Sequence, residues 1–237
     1  MPAMPKDTKG KNNLKENFYE WEFNNDMQYK IKSRCEDLGI TVFLTNPNPS
    51  TVSDIALSTR ASLANDYWLR KSKPKSMFIS LHANAFSSDT ARGTETYIAK
   101  NASTTSKNFA KVLNDNIVST MRKIDSSAKD RGVKTENFTV IYKAAMPSVL
   151  VEYGFYTNLN DLKILKNNRN ELVEATVKAI CDYFGVTYKV DTNKSTTIEN
   201  TFYRVVAGSF KSKDLAVKKQ QELKDKNIDS FLVSYKE

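Results

Sequence analysis

Two short apolar runs, each ending on an ionisable side chain, constrain this sequence more than anything else in it. Residues 77–81 (MFISL) stop at His82, the chain's single histidine, and the small polar segment Ala83-Asn84-Ala85 follows. Residues 149–151 (VLV) end at Glu152 and turn through Gly154. Short β-branched runs bounded by turn residues read as buried strands, and open α/β sheets put their sites at the carboxyl ends of strands. An imidazole and a carboxylate delivered to one sheet edge point to metal-assisted hydrolysis. Taken singly, each has a plainer reading: a structural histidine held by hydrogen bonds, or a glutamate that caps a helix or pairs with a cation.

The rest of the pattern supplies layers for such a sheet. Phe23, Met27 and Ile31 recur four apart, with Tyr19 on the same stripe, so residues 18–38 read as a helix that Gly39 ends. Residues 40–44 (ITVFL) then read as a strand, and residues 53–69 as a second helix with Ile55, Leu57, Ala61 and Ala64 inward and Arg60 exposed or capping. Residues 71–75 (KSKPK) form a solvated turn into the His82 strand. A strand over 93–99 precedes a long amphipathic helix over 104–124, with Phe109, Val112, Leu113, Ile117 and Met121 facing inward. Residues 125–134 read as a loop carrying Asp130-Arg131-Gly132, either a salt-bridged turn or a place where Arg131 holds an anionic peptide carboxylate of a substrate. A strand over 138–142 and closing helices over 159–183 complete the series. Strands alternating with helices predict an α/β fold with a mainly parallel sheet and helices on both faces.

The strings SLHANA, GTETYIA, DRGVK and MPSVLVEYGFYTN, in this order and spacing, resemble the zinc-dependent N-acetylmuramoyl-L-alanine amidases of the Amidase_3 family, over about residues 5–185. In that family two histidines and a glutamate hold zinc, and a second glutamate late in the sheet serves the attacking water. The resemblance implies that His82 is the second zinc histidine and Glu152 the catalytic carboxylate. It also implies that Glu20, followed four residues later by Asn24, is the zinc glutamate. The expected activity is cleavage of the amide between N-acetylmuramic acid and L-alanine of the peptidoglycan stem, with Zn2+ as cofactor. The sequence departs from the family at its start, where relatives open with an apolar strand ending in Gly-His-Gly. No such strand precedes Glu20, so an N-terminally incomplete catalytic domain with Glu20 and His82 as its remaining ligands is expected. A wall-binding protein without catalysis is the alternative.

Residues 187–200 (TNKS-centred and polar) read as a linker between a catalytic domain over 1–186 and a small unit over 201–237. That unit reads as strand 202–207, helix 213–226 and strand 230–233, and resembles half of a sporulation-related (SPOR) glycan-binding repeat. A piece so short buries little by itself, so pairing with a second copy, or docking on the first domain, is expected. The net charge of +9 suits an anionic partner. The lysines are dispersed and no nucleic-acid motif is present, which ranks a polyanionic wall above nucleic acid. Cys35 and Cys181 lack any paired spacing and read as buried free thiols. No apolar run is long enough to span a membrane. The polar opening MPAMPKDTKGKNN lacks a signal-peptide core, so the expectation is synthesis in the cytoplasm and action on the wall after release, as for an endolysin or a mother-cell autolysin.

Overall fold

The structure is a computed structural model and describes residues 18–47, 55–190 and 210–226. The chain divides into two compact units, Met1–Val190 and Asp191–Glu237. In the first, α1 (Glu20–Asp37) and α2 (Leu57–Arg70) precede β1 (Phe78–Asn84) and β2 (Thr94–Ile98); α3 (Thr104–Ile124), β3 (Asp130–Thr135), the one-turn α4 (Thr139–Tyr142), β4 (Ser148–Phe155), α5 (Leu159–Asn167) and α6 (Arg169–Phe184) follow. The strands form one sheet in the order β1-β4-β2-β3. β4 runs parallel to β1 and antiparallel to β2, while β3 runs parallel to β2. The α/β expectation holds, and the sheet is mixed because β2 runs against β4.

Alternation along β4 fixes which side chains reach which layer. Val149, Val151 and Tyr153 enter the main core, together with Phe23, Met27 and Ile31 of α1, Phe109, Leu113 and Ile117 of α3, and Leu172 and Val177 of α6. Leu150 points the other way, into a smaller cluster with Val140 and Ile141 of α4, packed by Leu57, Phe78, Tyr97 and Phe138. Even-numbered residues of β1 and β4 therefore face the layer of α2 and α4. His82 and Glu152 are among them. β4 can be apolar on both faces because both are covered, and α3 starts where it does because the Ser103 side chain accepts from Ser106 N at 3.2 Å.

Several expected elements differ. Residues 40–44 form no strand and pair with none among the described residues. Their neighbourhood is tied to α1 by side chains instead: Gln28 Nε2 donates to Asn46 O at 2.8 Å, Tyr29 Oη to Pro47 O at 2.7 Å and Lys32 Nζ to Val42 O at 3.5 Å. The expected strand at 138–142 is α4, whose single turn lets the adjacent Val140 and Ile141 both be buried on one side. Part of the expected loop at 125–134 is the edge strand β3, with a register shift between Thr94 and Thr96 of β2 opposite Gly132 (φ +74°). Val112 lies on the solvent side of α3, 38% exposed. Cys35 and Cys181 are buried and free, as expected.

In the second unit α7 (Lys213–Lys224) is described, with Leu215 and Val217 exposed. The strands expected at 202–207 and 230–233, like the chain before residue 18, lie outside the described residues. No helix among those described is long and apolar enough to cross a membrane.

Candidate active site

The sheet register builds the site. His82 of β1 stands opposite Glu152 of β4, and Glu152 stands opposite Glu95 of β2, so an imidazole and two carboxylates form a row across the sheet. Paired residues on adjacent strands project to the same face. The row ends where β1 gives way to Ala85, at the carboxyl end of the strand. Glu20, the first residue of α1, reaches the same place from the helix start, where unpaired backbone N–H groups favour a negative side chain.

Glu20 Oε1 lies 2.8 Å from His82 Nδ1 and also accepts from Ala83 N at 3.4 Å and Asn24 Nδ2 at 3.3 Å. The other ring nitrogen, His82 Nε2, is 2.9 Å from Ser80 Oγ, two residues back on the same strand face. Burial works against the charge on Glu20, yet His82, Asn24 and Ala83 N together hold its carboxyl below the ordinary range. For His82 burial opposes the proton, but the bond to Glu20 and the charges of Glu152 and Glu20 outweigh it and raise the imidazole above its usual value. Burial pushes the Glu152 carboxyl up to about 8, with His82 pulling it down and Glu20 and Glu95 adding to the rise. Glu152 Oε2 is enclosed and has no hydrogen-bond partner among the described residues. An orphaned buried carboxylate oxygen is costly unless something outside the chain satisfies it.

Glu95 is 2% exposed and anchors the neighbouring cluster. It accepts from Arg131 Nε at 2.6 Å, Asn84 Nδ2 at 2.7 Å, Tyr97 Oη at 2.8 Å and Lys134 Nζ. Arg131 also lies over the Phe155 ring, 4.9 Å from its centroid. Of the residues singled out from sequence, Glu20, His82 and Glu152 meet, and Arg131 sits two strands beyond Glu152, on β3, salt-bridged to Glu95 of β2 from a strand rather than a turn. Sequence reasoning passed over Ser80 and Glu95. The signals were the i, i+2 spacing of Ser80 and His82, and a carboxylate in the middle of the β-branched TETYI strand.

The donor set fits a divalent cation in part. A carboxylate oxygen and an imidazole nitrogen converge, the second imidazole nitrogen is oriented by a hydroxyl as metal-bound histidines commonly are, and the Glu152 oxygen has no partner. Catalytic zinc ordinarily takes three protein ligands, and among the described residues no group of three His, Cys, Asp or Glu side chains is placed to hold a metal.

Comparison with known proteins identifies the family. The profile of the Amidase_3 family, described as N-acetylmuramoyl-L-alanine amidase, matches residues 5–182, and that of the SPOR domain matches residues 184–234. The amidase LytC of Bacillus subtilis is 32% identical over 62% of this chain, which spans 27% of that protein. The amidase CwlM of Bacillus licheniformis is 25% identical over 82% of this chain and 67% of its own length. Among solved structures, the catalytic domain of the amidase CwlV from Bacillus (Paenibacillus) polymyxa var. colistinus superposes with a TM-score of 0.60 at 28% identity, covering 71% of this chain and 87% of that one. An amidase from Clostridium difficile gives 0.60 at 28% identity over 72% and 86%. The chain therefore covers most of the solved catalytic domains and only a part of LytC. Amidase_3 proteins are in general zinc-dependent, and with most of its length matched to that family, this chain belongs to the N-acetylmuramoyl-L-alanine amidases.

Proposed function

We propose that this chain is a peptidoglycan hydrolase that cleaves the amide between the lactyl group of N-acetylmuramic acid and the L-alanine of the stem peptide. The observation that carries the proposal is the meeting of Glu20, His82 and the unpartnered Glu152 at one end of the sheet. In this reading Glu20 Oε1 and His82 Nδ1 hold a zinc ion, with Ser80 fixing the imidazole. When bound, the zinc supplies Lewis acidity to the amide carbonyl and acidifies a water. Glu152 takes the proton of the attacking water and returns it to the leaving L-alanine nitrogen. The terminal nitrogens of Arg131, whose Nε is held by Glu95, receive a carboxylate of the stem peptide.

Replacing Glu152 by Gln keeps the shape and removes the base. The expected result is loss of about a hundredfold or more of turnover, read as free L-alanine amine released from purified peptidoglycan, with wall binding unchanged. Release at the wild-type rate by E152Q sinks the assignment.

A second reading rests on the ligand count. Two ligands among the described residues, rather than three, favour a protein that binds wall and turns over slowly or not at all. Wall binding by the wild type with no free amine released under saturating zinc decides for it.

For the carboxyl-terminal part, residues 187–200 serve as a linker and 201–237 as a glycan-binding half repeat that pairs with the same segment of a second copy. The SPOR match, over residues 184–234, supports a glycan-binding unit here, and the exposed Leu215 and Val217 of α7 support the pairing. Peptidoglycan, both stem and glycan, is the partner in this account, and nucleic acid is not. The chain reaches the wall after release from the cell that makes it.

A further inference from the structure

The turn that leads into β1 is more than a solvated link. Arg70, Lys71, Lys73 and Lys75 put four cations into six consecutive residues with no acid between them. None of the four forms an ion pair with a described carboxylate. The lysines instead lie against aromatic rings: Lys71 Nζ is 5.9 Å from the centroid of Tyr67, Lys73 Nζ is 5.9 Å from that of Trp68, and Lys75 Nζ is 4.7 Å from that of Tyr183. Tyr67 is itself stacked on Phe43, 4.2 Å between centroids and 2° between planes, and Phe43 is 40% exposed.

The backbone holds this arrangement deliberately. Ser72 and Lys73 are the chain's described non-glycine residues with positive φ, 60° and 54°, a conformation that side-chain-bearing residues seldom adopt. Lys73 N bonds Trp68 O at 2.9 Å, and Trp68 Nε1 bonds Pro74 O at 2.8 Å, so the turn is folded back onto the helix end that carries the rings. The last turn of a helix also favours cations.

We propose that this face, Phe43 with residues 67–75, binds a linear polyanion whose charges are phosphodiesters on a polyol backbone, a wall polymer of the teichoic acid class. Arg70, Lys71 and Lys73 are exposed and have no acidic partner among the described residues, so they meet a repeating phosphate with little to displace but counterions, while Lys75 also donates to Tyr183 O at 2.5 Å. Nucleic acid carries the same phosphates, but single strands are held by bases stacking on open ring faces. Here Tyr67 is stacked on Phe43, and Trp68 lies under Lys73. The choice of a wall polymer rests on the proposed wall function. The face lies ahead of β1, about 13 Å of strand from His82, so it holds the enzyme on the wall without entering the reaction.

The test uses the full chain and purified polyglycerol phosphate, titrated at low and high salt, against a single-stranded oligonucleotide of equal charge. Lys71→Glu with Lys73→Glu removes the outer cations, and the milder pair K71Q and K73Q guards against misfolding. The expected result is polymer binding that weakens at least tenfold in high salt and at least tenfold in either double variant, with amine release from polymer-free peptidoglycan equal to wild type. Wild-type affinity in both variants overturns the proposal, as does tighter binding of the oligonucleotide than of the polymer. Amine release from polymer-free peptidoglycan is read in a separate arm, so failure of the hydrolase reading shows there and not in polymer binding.

Discussion

At the scale of single residues, the site depends on charges placed where sequence alone shows only polar letters. His82 and Glu152 stood out because each interrupts an apolar strand, whereas Glu20 stood out only through the family resemblance, in which the corresponding glutamate precedes an asparagine by four residues. Ser80 and Glu95 did not, since a polar residue within a strand reads as the solvent half of an alternation; the structure has both buried. Burial works against Glu95, but Lys134, Arg131 and Tyr97 together hold its carboxyl below the ordinary 4.5. A carboxyl with a depressed folded value stabilises fully above its unfolded value and loses that contribution as pH falls through the folded one. Glu95→Gln is therefore expected to cost about 2 kcal/mol near pH 7, with the difference between wild-type and variant melting temperatures shrinking as the pH falls below the ordinary glutamate range. Thermal melts across that range check it; a difference that stays constant with pH contradicts the ion cluster.

At the scale of elements, α3 has the bounds that its long apolar stripe led one to expect, although Val112 of that stripe faces solvent. The segments at 40–44, 125–134 and 138–142 were misread for one reason: short runs take their conformation from what they pack against. Residues 40–44 are β-branched but find their partners in α1 side chains, and β3 carries the polar DRGVKT of an exposed edge. The junction that fixes the site ends of β2 and β4 was invisible in sequence. Asp161, fully buried at the start of α5, accepts from Gly93 N at 2.6 Å, Phe155 N at 3.0 Å and Arg92 Nε at 3.0 Å. It ties the start of β2, the end of β4 and α5 together. Asp161→Ala leaves two buried amides and a guanidinium without their acceptor and is expected to destabilise the fold by about 3–5 kcal/mol in chemical denaturation. A loss under about 1 kcal/mol contradicts this role.

At the scale of the whole molecule, the amidase-family unit is followed by a short carboxyl-terminal unit that cannot bury much surface alone. If that unit pairs with a second copy, the full chain sediments as a dimer at micromolar concentration, and Leu215→Asp shifts it to monomer while amine release from soluble muropeptides is unchanged. A monomer over the same range removes the pairing. Everything functional, however, rests on a cation seat between Glu20 and His82 beside Glu152. Crystals of the chain grown with zinc and measured at the zinc absorption edge test that seat most directly. The account predicts an anomalous peak about 2 Å from both the Glu20 carboxylate and His82 Nδ1, absent in Glu20→Gln; a peak held by other side chains, or none at this place under saturating zinc, contradicts it.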